Sequence, residues 1–300
     1  MRLHLLLPAL VLAACASSPA VVPPALAPSL SGAVVSSSSS SVPAPVVIEK
    51  LPSELSIPHF RTMALVGSGL DLYDVLDDNA TYTRYAVRYL SNGLTITSIM
   101  NIPKGAGPFP LIVFNHGYIA PSVYTQGRGL KREQDYMARQ GFAVLHTDYR
   151  GHAGSDESPM TEDVYDGNLE YAMDSANAVA AVRAAKLPTV DATRVGMLGH
   201  SLGGGVTMAV LTGRPDLVSA AVLYAPVNAS VWENFTRWRS ERDEGDRTVA
   251  QFGTPETQPE TWARLSPRTY FADIQAPVLL FQGSADKDVP EAWSDGLAVD

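Results

Sequence analysis

One stretch leaves this chain few ways to fold: Arg194-Val195-Gly196-Met197-Leu198-Gly199-His200-Ser201-Leu202-Gly203-Gly204-Gly205. It reads as a short apolar strand, a tight turn and the start of a helix. Ser201 sits at the turn, flanked as Gly199-x-Ser201-x-Gly203. A serine at such an elbow is held in a strained backbone conformation, and its hydroxyl projects above the sheet edge. Glycine is needed on either side because a side chain there would collide with the neighbouring strand or helix. The following helix aims its first N–H groups at the point where an oxyanion would form. A glycine-rich turn that merely carries a serine has the same short pattern, so the weight falls on what else the chain supplies.

The rest of the chain supplies strands and helices in alternation. Tyr85 to Ile102 holds two β-rich runs separated by Asn92-Gly93, a strong hairpin signal. Pro110 to Asn115 is an apolar strand that leads into His116-Gly117-Tyr118. Lys131 to Gln140 reads as a helix stopped by Gly141, and Phe142 to His146 as a buried strand leading to Asp148-Tyr149-Arg150-Gly151. Asn168 to Leu187 is a helix whose apolar face carries Leu169, Ala172, Ala176, Val179 and Val182. The elbow helix runs to about Thr212. Ala220 to Ala225 and Pro277 to Gln282 are further strands. Strands apolar throughout imply a parallel sheet covered on both faces, with ligands bound at the carboxyl ends of the strands. The turns holding His116, Asp148, Ser201 and Asp286 therefore share one edge. Residues 228–266 break the rhythm with Trp232, Phe235, Trp238, Phe252 and Trp262. They read as a helical insertion over the strand ends, acting either as a pocket wall or as amphipathic helices packing their aromatics inward.

Ahead of this domain the composition is different. Residues 1–15 read as an export signal: Arg2, an apolar run from Leu3 to Leu12, then Leu12-Ala13-Ala14-Cys15, which resembles the lipobox of bacterial lipoproteins. The resemblance implies cleavage before Cys15, lipidation of its thiol, and a protein anchored to a membrane of the cell envelope. Residues 16–50, rich in Ala, Pro, Ser and Val with six serines from Ser36 to Ser41, read as a tether. Residues 51–300 are the folded domain. The net charge of −9 argues against a nucleic-acid partner, and one cysteine with six scattered histidines offers no metal site.

Acyl transfer by serine needs a nucleophile, a base, an acid that orients the base, and donors for the oxyanion. Ser201 is the nucleophile. The N–H of Leu202 is one donor, and the N–H of Tyr118, in the turn after an earlier strand, is the second. Only the backbone of that turn is required, so the His116 side chain reads as packing beneath it. Asp286, after the strand Pro277 to Gln282, is the candidate acid, with Asp288 as its competitor. His152 reads as structural, and His200 as turned away from the serine.

These residues together resemble an α/β-hydrolase of the prolyl oligopeptidase family. The resemblance rests on Phe114-Asn115-His116-Gly117-Tyr118, Asp148-Tyr149-Arg150, Gly196 to Gly205 and Gly283-Ser284-Ala285-Asp286, and covers roughly residues 84–295. It implies a mostly parallel sheet with helices on both faces, and a serine hydrolase cleaving small peptide or ester substrates without a metal or organic cofactor. Two departures stand out. Larger members carry a β-propeller before the hydrolase domain, whereas about thirty residues separate this tether from the first strands. The family's histidine lies some thirty residues past the aspartate, and no histidine follows Asp286 here. The expectation is a domain cut short at Asp300, with the triad histidine beyond it. The alternatives are a carboxylesterase without peptidase activity and a lipid-tethered binding protein that keeps the pocket without the chemistry.

Overall fold

The computed structural model of the protein describes residues 55–158, 165–241 and 243–299. The export signal, Cys15 and the tether of residues 16–50 lie outside the described residues. The described chain opens with a short helix, α1 (Ile57–Thr62), capped by the Ser56 hydroxyl, which accepts the His59 N–H at 3.2 Å. An antiparallel meander follows: β1 (Ser68–Asp78), β2 (Tyr82–Ser91) and β3 (Leu94–Pro103). Asn92 and Gly93 join β2 to β3 with φ of 49° and 86°. Two consecutive residues of positive φ twist the turn in the sense that the flanking strands need.

The alternating part begins at β4 (Phe109–Asn115) and continues through α2 (Lys131–Arg139), β5 (Ala143–Thr147), α3 (Leu169–Ala185), β6 (Val190–His200), α4 (Leu202–Gly213) and β7 (Ala220–Tyr224). Three helices then intervene, α5 (Val231–Trp238), α6 (Asp243–Phe252) and α7 (Pro259–Leu265). The chain ends in β8 (Val278–Phe281) and α8 (Glu291–Val299). The eight strands form one sheet in the order β1-β2-β3-β5-β4-β6-β7-β8. From β5 to β8 neighbouring strands are parallel; β3 pairs antiparallel with β5.

The strand order dictates where the helices lie. The step from β4 to β5 goes one way along the sheet, and the step from β5 to β6 returns past β4. Right-handed crossovers place the helices of opposite steps on opposite faces. α2 accordingly packs Ala138 and Met137 against Phe114, Ile112 and Val144 on one face. α3 and α4 bury Ala176, Val179, Val206 and Val210 with Val113 and Met197 on the other. The later steps to β7 and β8 continue in the α4 direction, so their helices join α4. Helices thus cover both faces, but unevenly. Among the described residues β7 and β8 stay open on the α2 side, with Tyr224, Leu279 and Phe281 each 42–55% exposed. An apolar groove of about 260 Å³ runs there between Met137, Phe142, Leu198 and Val222.

α3 is buried well beyond the single apolar face that its periodicity predicts. Asp174, Ser175 and Asn177 are buried with Ala176 and Val179, and each has its partners, as buried polar groups must. Asp174 accepts from Arg150 and Ser91, Ser175 donates to Asn115, and Asn177 Oδ1 accepts the N–H groups of Val66 and Gly67. The reversal of winding at β4 matters for function, because it opens a crevice at the carboxyl ends of β4, β5 and β6.

Candidate active site

Ser201 lies between the end of β6 and the start of α4, with φ 54° and ψ −119°. A non-glycine residue there costs on the order of 1–3 kcal/mol, so the surroundings must hold it. Three backbone bonds do: Ser201 N–H donates to Tyr224 O at 3.0 Å, and Ser201 O accepts from Gly204 at 2.8 Å and Val227 at 3.1 Å. The flanking glycines are forced by close approach. A Cβ on Gly199 would lie 2.1 Å from Gly203 O, and one on Gly203 would lie 2.0 Å from Asn115 O. Half-buried, the Ser201 hydroxyl makes no hydrogen bond among the described residues.

The N–H of Leu202 opens α4, and the N–H of Tyr118 belongs to the turn after β4; neither has an acceptor among the described residues. Gly117 brings this turn against the elbow: a Cβ there would lie 2.9 Å from His200 Nδ1 and 3.1 Å from Ser201 Cβ. The turn is held from beneath by His116, which is 1% exposed. The His116 ring bonds Gly117 O through Nδ1 at 2.7 Å and lies 4.5–4.8 Å from the rings of Tyr149 and Tyr124. Burial lowers its pKa to about 4, so the ring is neutral. Asp148, at the end of β5, ties down the chain that follows the turn. Its carboxylate accepts from Tyr124 Oη, Gly127 N and Thr97 Oγ1, each at 2.7 Å. Burial raises its pKa to about 6 in spite of those three donors.

Asp286 follows β8. Its Oδ1 accepts the N–H groups of Asp288 at 2.9 Å and Val289 at 3.0 Å, and Gln282 Nε2 lies 3.4 Å from Oδ2. Asp286 is half-buried, while Asp288 is exposed. Of the two carboxylates, Asp286 is the one around which the loop is folded, whereas Asp288 lines the pocket with Ser201.

Ser201 opens into a pocket of about 390 Å³ shared with Tyr118, Tyr165, Asn168, His200, Trp238 and Asp288. That is the size of a small-molecule site. α5 supplies Asn234, Trp238 and, just past its end, Arg239 to the wall. The two readings of residues 228–266 thus divide between residues. Trp238 lines the pocket, while Phe235, Phe252 and Trp262 are core, with Trp262 4.8 Å from Trp232 and 5.5 Å from Phe235.

The sequence reading turned His200 away from the serine, yet its half-buried ring lines the same pocket, 5.1 Å from Tyr224. Burial lowers its pKa, against the opposing pull of Glu133 and Asp286. His152 is packed edge-on to Tyr124 and Tyr171 and bonds Arg150 O, away from the pocket lining. His146, fully buried, has no hydrogen-bond partner for either ring nitrogen among the described residues, its Nδ1 lying 3.9 Å from Asp148 Oδ1. Among the described residues no three metal-ligating side chains converge.

The chain is similar to known proteins in sequence and in fold. The profile of the prolyl oligopeptidase family (Peptidase_S9) matches residues 129–296, a span that includes both Ser201 and Asp286. The chain is 28% identical over 210 residues to the uncharacterized peptidase YtmA of Bacillus subtilis (strain 168), covering 68% of this chain and 74% of that one. It is 27% identical over 224 residues to dipeptidyl aminopeptidase BIII of Pseudoxanthomonas mexicana, but there it spans only 30% of the relative's length. Among solved structures, the acylaminoacyl peptidase of Pyrococcus horikoshii superposes with a TM-score of 0.58 at 24% identity, over 73% of this chain and 34% of that one. Acetyl xylan esterase 1 from Thermoanaerobacterium sp. JW/SL YS485 superposes at 0.56 and 20% identity, over 82% and 83%. Both share the α/β-hydrolase fold. With its elbow serine and the family profile spanning more than half its length, the chain belongs to the prolyl oligopeptidase family of serine hydrolases.

Proposed function

We propose that the protein cleaves small esters or peptides by acyl transfer through Ser201. The observation that carries this reading is the strained elbow, which presents an unbonded serine hydroxyl to a pocket beside two N–H groups that have no other acceptor. Ser201 Oγ attacks the substrate carbonyl while a base takes its proton. The N–H groups of Leu202 and Tyr118 hold the resulting oxyanion. Collapse expels the alcohol or amine, which recovers the proton, and water then hydrolyses the acyl-enzyme by the same steps.

Asp286 orients the base in this reading. Its Oδ1 is engaged by two backbone N–H groups, while Oδ2 accepts only the long 3.4 Å bond from Gln282 and keeps a lone pair for an imidazole. The rings of His116, His146 and His152 are buried among other side chains, and no described histidine bonds Ser201. The base in this reading is an imidazole held by Asp286 Oδ2, and of the described histidines only His200 lines the pocket that holds Ser201. The proposal places the protein on a membrane of the cell envelope through lipid on Cys15; labelled fatty acid should enter the wild type and not Cys15→Ala, and equal incorporation would overturn the anchor.

The chemistry is tested on the full-length protein with a fluorophosphonate probe. Ser201 should be the residue modified, and Ser201→Ala should lose labelling together with on the order of 10³-fold in ester turnover. Labelling that survives the substitution would remove Ser201 from the mechanism. An unlabelled but folded wild type would favour a tethered binding protein.

A further inference from the structure

Asp286 is held from a distance by a residue of the pocket wall. Arg237, in the last turn of α5, donates from Nε to Asp288 O at 2.8 Å and from an Nη to Lys287 O at 3.1 Å. Those carbonyls belong to the same two peptide groups whose N–H ends, on Asp288 and Val289, donate to Asp286 Oδ1 at 2.9 and 3.0 Å. A trans peptide points its C=O and N–H in opposite directions. Each group thus has the guanidinium at its oxygen and the carboxylate at its hydrogen.

We infer that Arg237 is a positioning residue for Asp286, acting through two parallel peptide groups that join its guanidinium fork to one carboxylate oxygen. Role and partner both rest on the proposed function, in which Asp286 is the acid. A hydrogen bond accepted at a peptide oxygen polarises that peptide and strengthens the bond donated by its N–H. With a cation at one end and an anion at the other, both bonds of each relay are charge-assisted. Two relays fix the loop more firmly than one, because a single bond would still allow rotation about its own axis. Oδ1 is thereby pinned, and the orientation of Oδ2 follows.

Arg237 is itself held. Its guanidinium carbon lies 5.6 Å from the ring of Trp238 and 5.7 Å from that of Trp293, and the two rings meet edge-on at 5.5 Å. Cation–π contact and stacking suit the flat guanidinium, and a lysine would lose both the stacking and the fork. Trp293 comes from α8 and Trp238 from the pocket wall. The cluster therefore fastens the wall that meets the substrate to the loop that carries the acid. Other charges near Asp286 are His200 across the pocket and Lys287 and Asp288 on its own loop, and none of their side chains makes a comparable bond to it.

The test is a double-mutant cycle on the full-length protein, read by the rate of Ser201 labelling with a fluorophosphonate. Arg237→Met should slow labelling roughly tenfold, and Arg237→Lys by less. In the Asp286→Asn background Arg237→Met should slow it no further. Multiplied losses in the double variant would overturn the inference, since Arg237 would then act by another route. Amide exchange at Asp288 and Val289 supplies a readout without catalysis: it should quicken about tenfold in folded Arg237→Met and stay unchanged in Arg132→Met, an exposed arginine of α2. Unchanged exchange in Arg237→Met, or an equal change in Arg132→Met, would also overturn it. Should Arg237→Met fail to fold, Arg237→Lys carries both measurements. If Asp286→Asn alone leaves labelling intact, the acid assignment fails, and the exchange result still decides whether Arg237 holds the loop.

Discussion

At the scale of single residues, the site turns on which atoms have a partner and which do not. Ser201 engages its backbone groups in three hydrogen bonds, and its hydroxyl has no partner among the described residues. Asp286 takes two loop N–H groups on one oxygen, while the Asp288 side chain stands exposed at the pocket rim. Asp286→Asn should therefore cost on the order of 10²-fold or more in ester turnover, since an amide cannot hold an imidazolium and would also loosen the loop. Asp288→Asn should stay within a few-fold. Steady-state kinetics on a small ester would settle it, and the reverse ranking would exchange the two roles.

At the scale of elements, the turn after β4 owes its stability to the buried groups under it, and these respond to pH. Asp148 titrates near 6 in the folded protein against an ordinary 3.8, so between those values the native state binds a proton that the unfolded chain releases. Its contribution to stability therefore grows as pH falls from 6 to 4. His116, His146 and His152 are all lowered by burial from 6.5, His116 to about 4. Below 6.5 the unfolded chain gains protons that these native rings refuse, so their contribution falls on acidification. Asp166 and Glu170, raised by burial, act with Asp148, and His200, lowered by burial, acts with the three rings. Relative to the wild type, Asp148→Asn should therefore lose unfolding free energy, measured in urea, more steeply from pH 6.5 towards 4.5 by removing one opposing group. Parallel curves for the two proteins would contradict this.

The inserted helices invite a second prediction at this scale. Phe235 is 1% exposed and packs on Trp232, Trp262 and Tyr165. Phe235→Ala should lower stability by about 3–5 kcal/mol through the cavity it leaves. The same change should raise KM, because α5 carries Trp238 into the pocket. A stability loss without any change in KM would show that the pocket wall is held independently of its core.

Across the whole molecule, the uneven cover of the sheet is the dominant feature. β8 stands at the sheet edge, with Leu279 and Phe281 more than half exposed beside Tyr224. An apolar edge strand is a template for pairing with another chain. The protein should associate at micromolar concentration, and Leu279→Lys with Phe281→Lys should reduce that association, as read by light scattering. Unchanged scattering in the double variant would place the sticky surface elsewhere.

Most elements were legible in the sequence because their signals are local. The Asn92-Gly93 turn, the elbow and the apolar runs of β4, β5, β7 and β8 each follow from sterics or periodicity over a few residues. Their observed bounds lie within a few residues of those read. β1 was not legible: in Ser68–Asp78 aspartates recur every third residue at 71, 74 and 77, which breaks the period of two, and it is a strand because β2 pairs with it. Ser201, Asp286 and the turn at Tyr118 could be named as candidates because each follows a strand whose carboxyl end must face one crevice. What only the tertiary structure decided depends on groups distant in the chain meeting in space. That Asp286 and not Asp288 organises its loop rests on which carboxylate the loop N–H groups find. The presence of His200 in the pocket rests on the rotation of the elbow against Tyr224. Arg237 reaches the acid loop across some fifty residues of sequence, through peptide groups whose direction no residue type encodes. Local sterics fix the elements, whereas the partners of buried and half-buried polar atoms are fixed only when the whole sheet has closed.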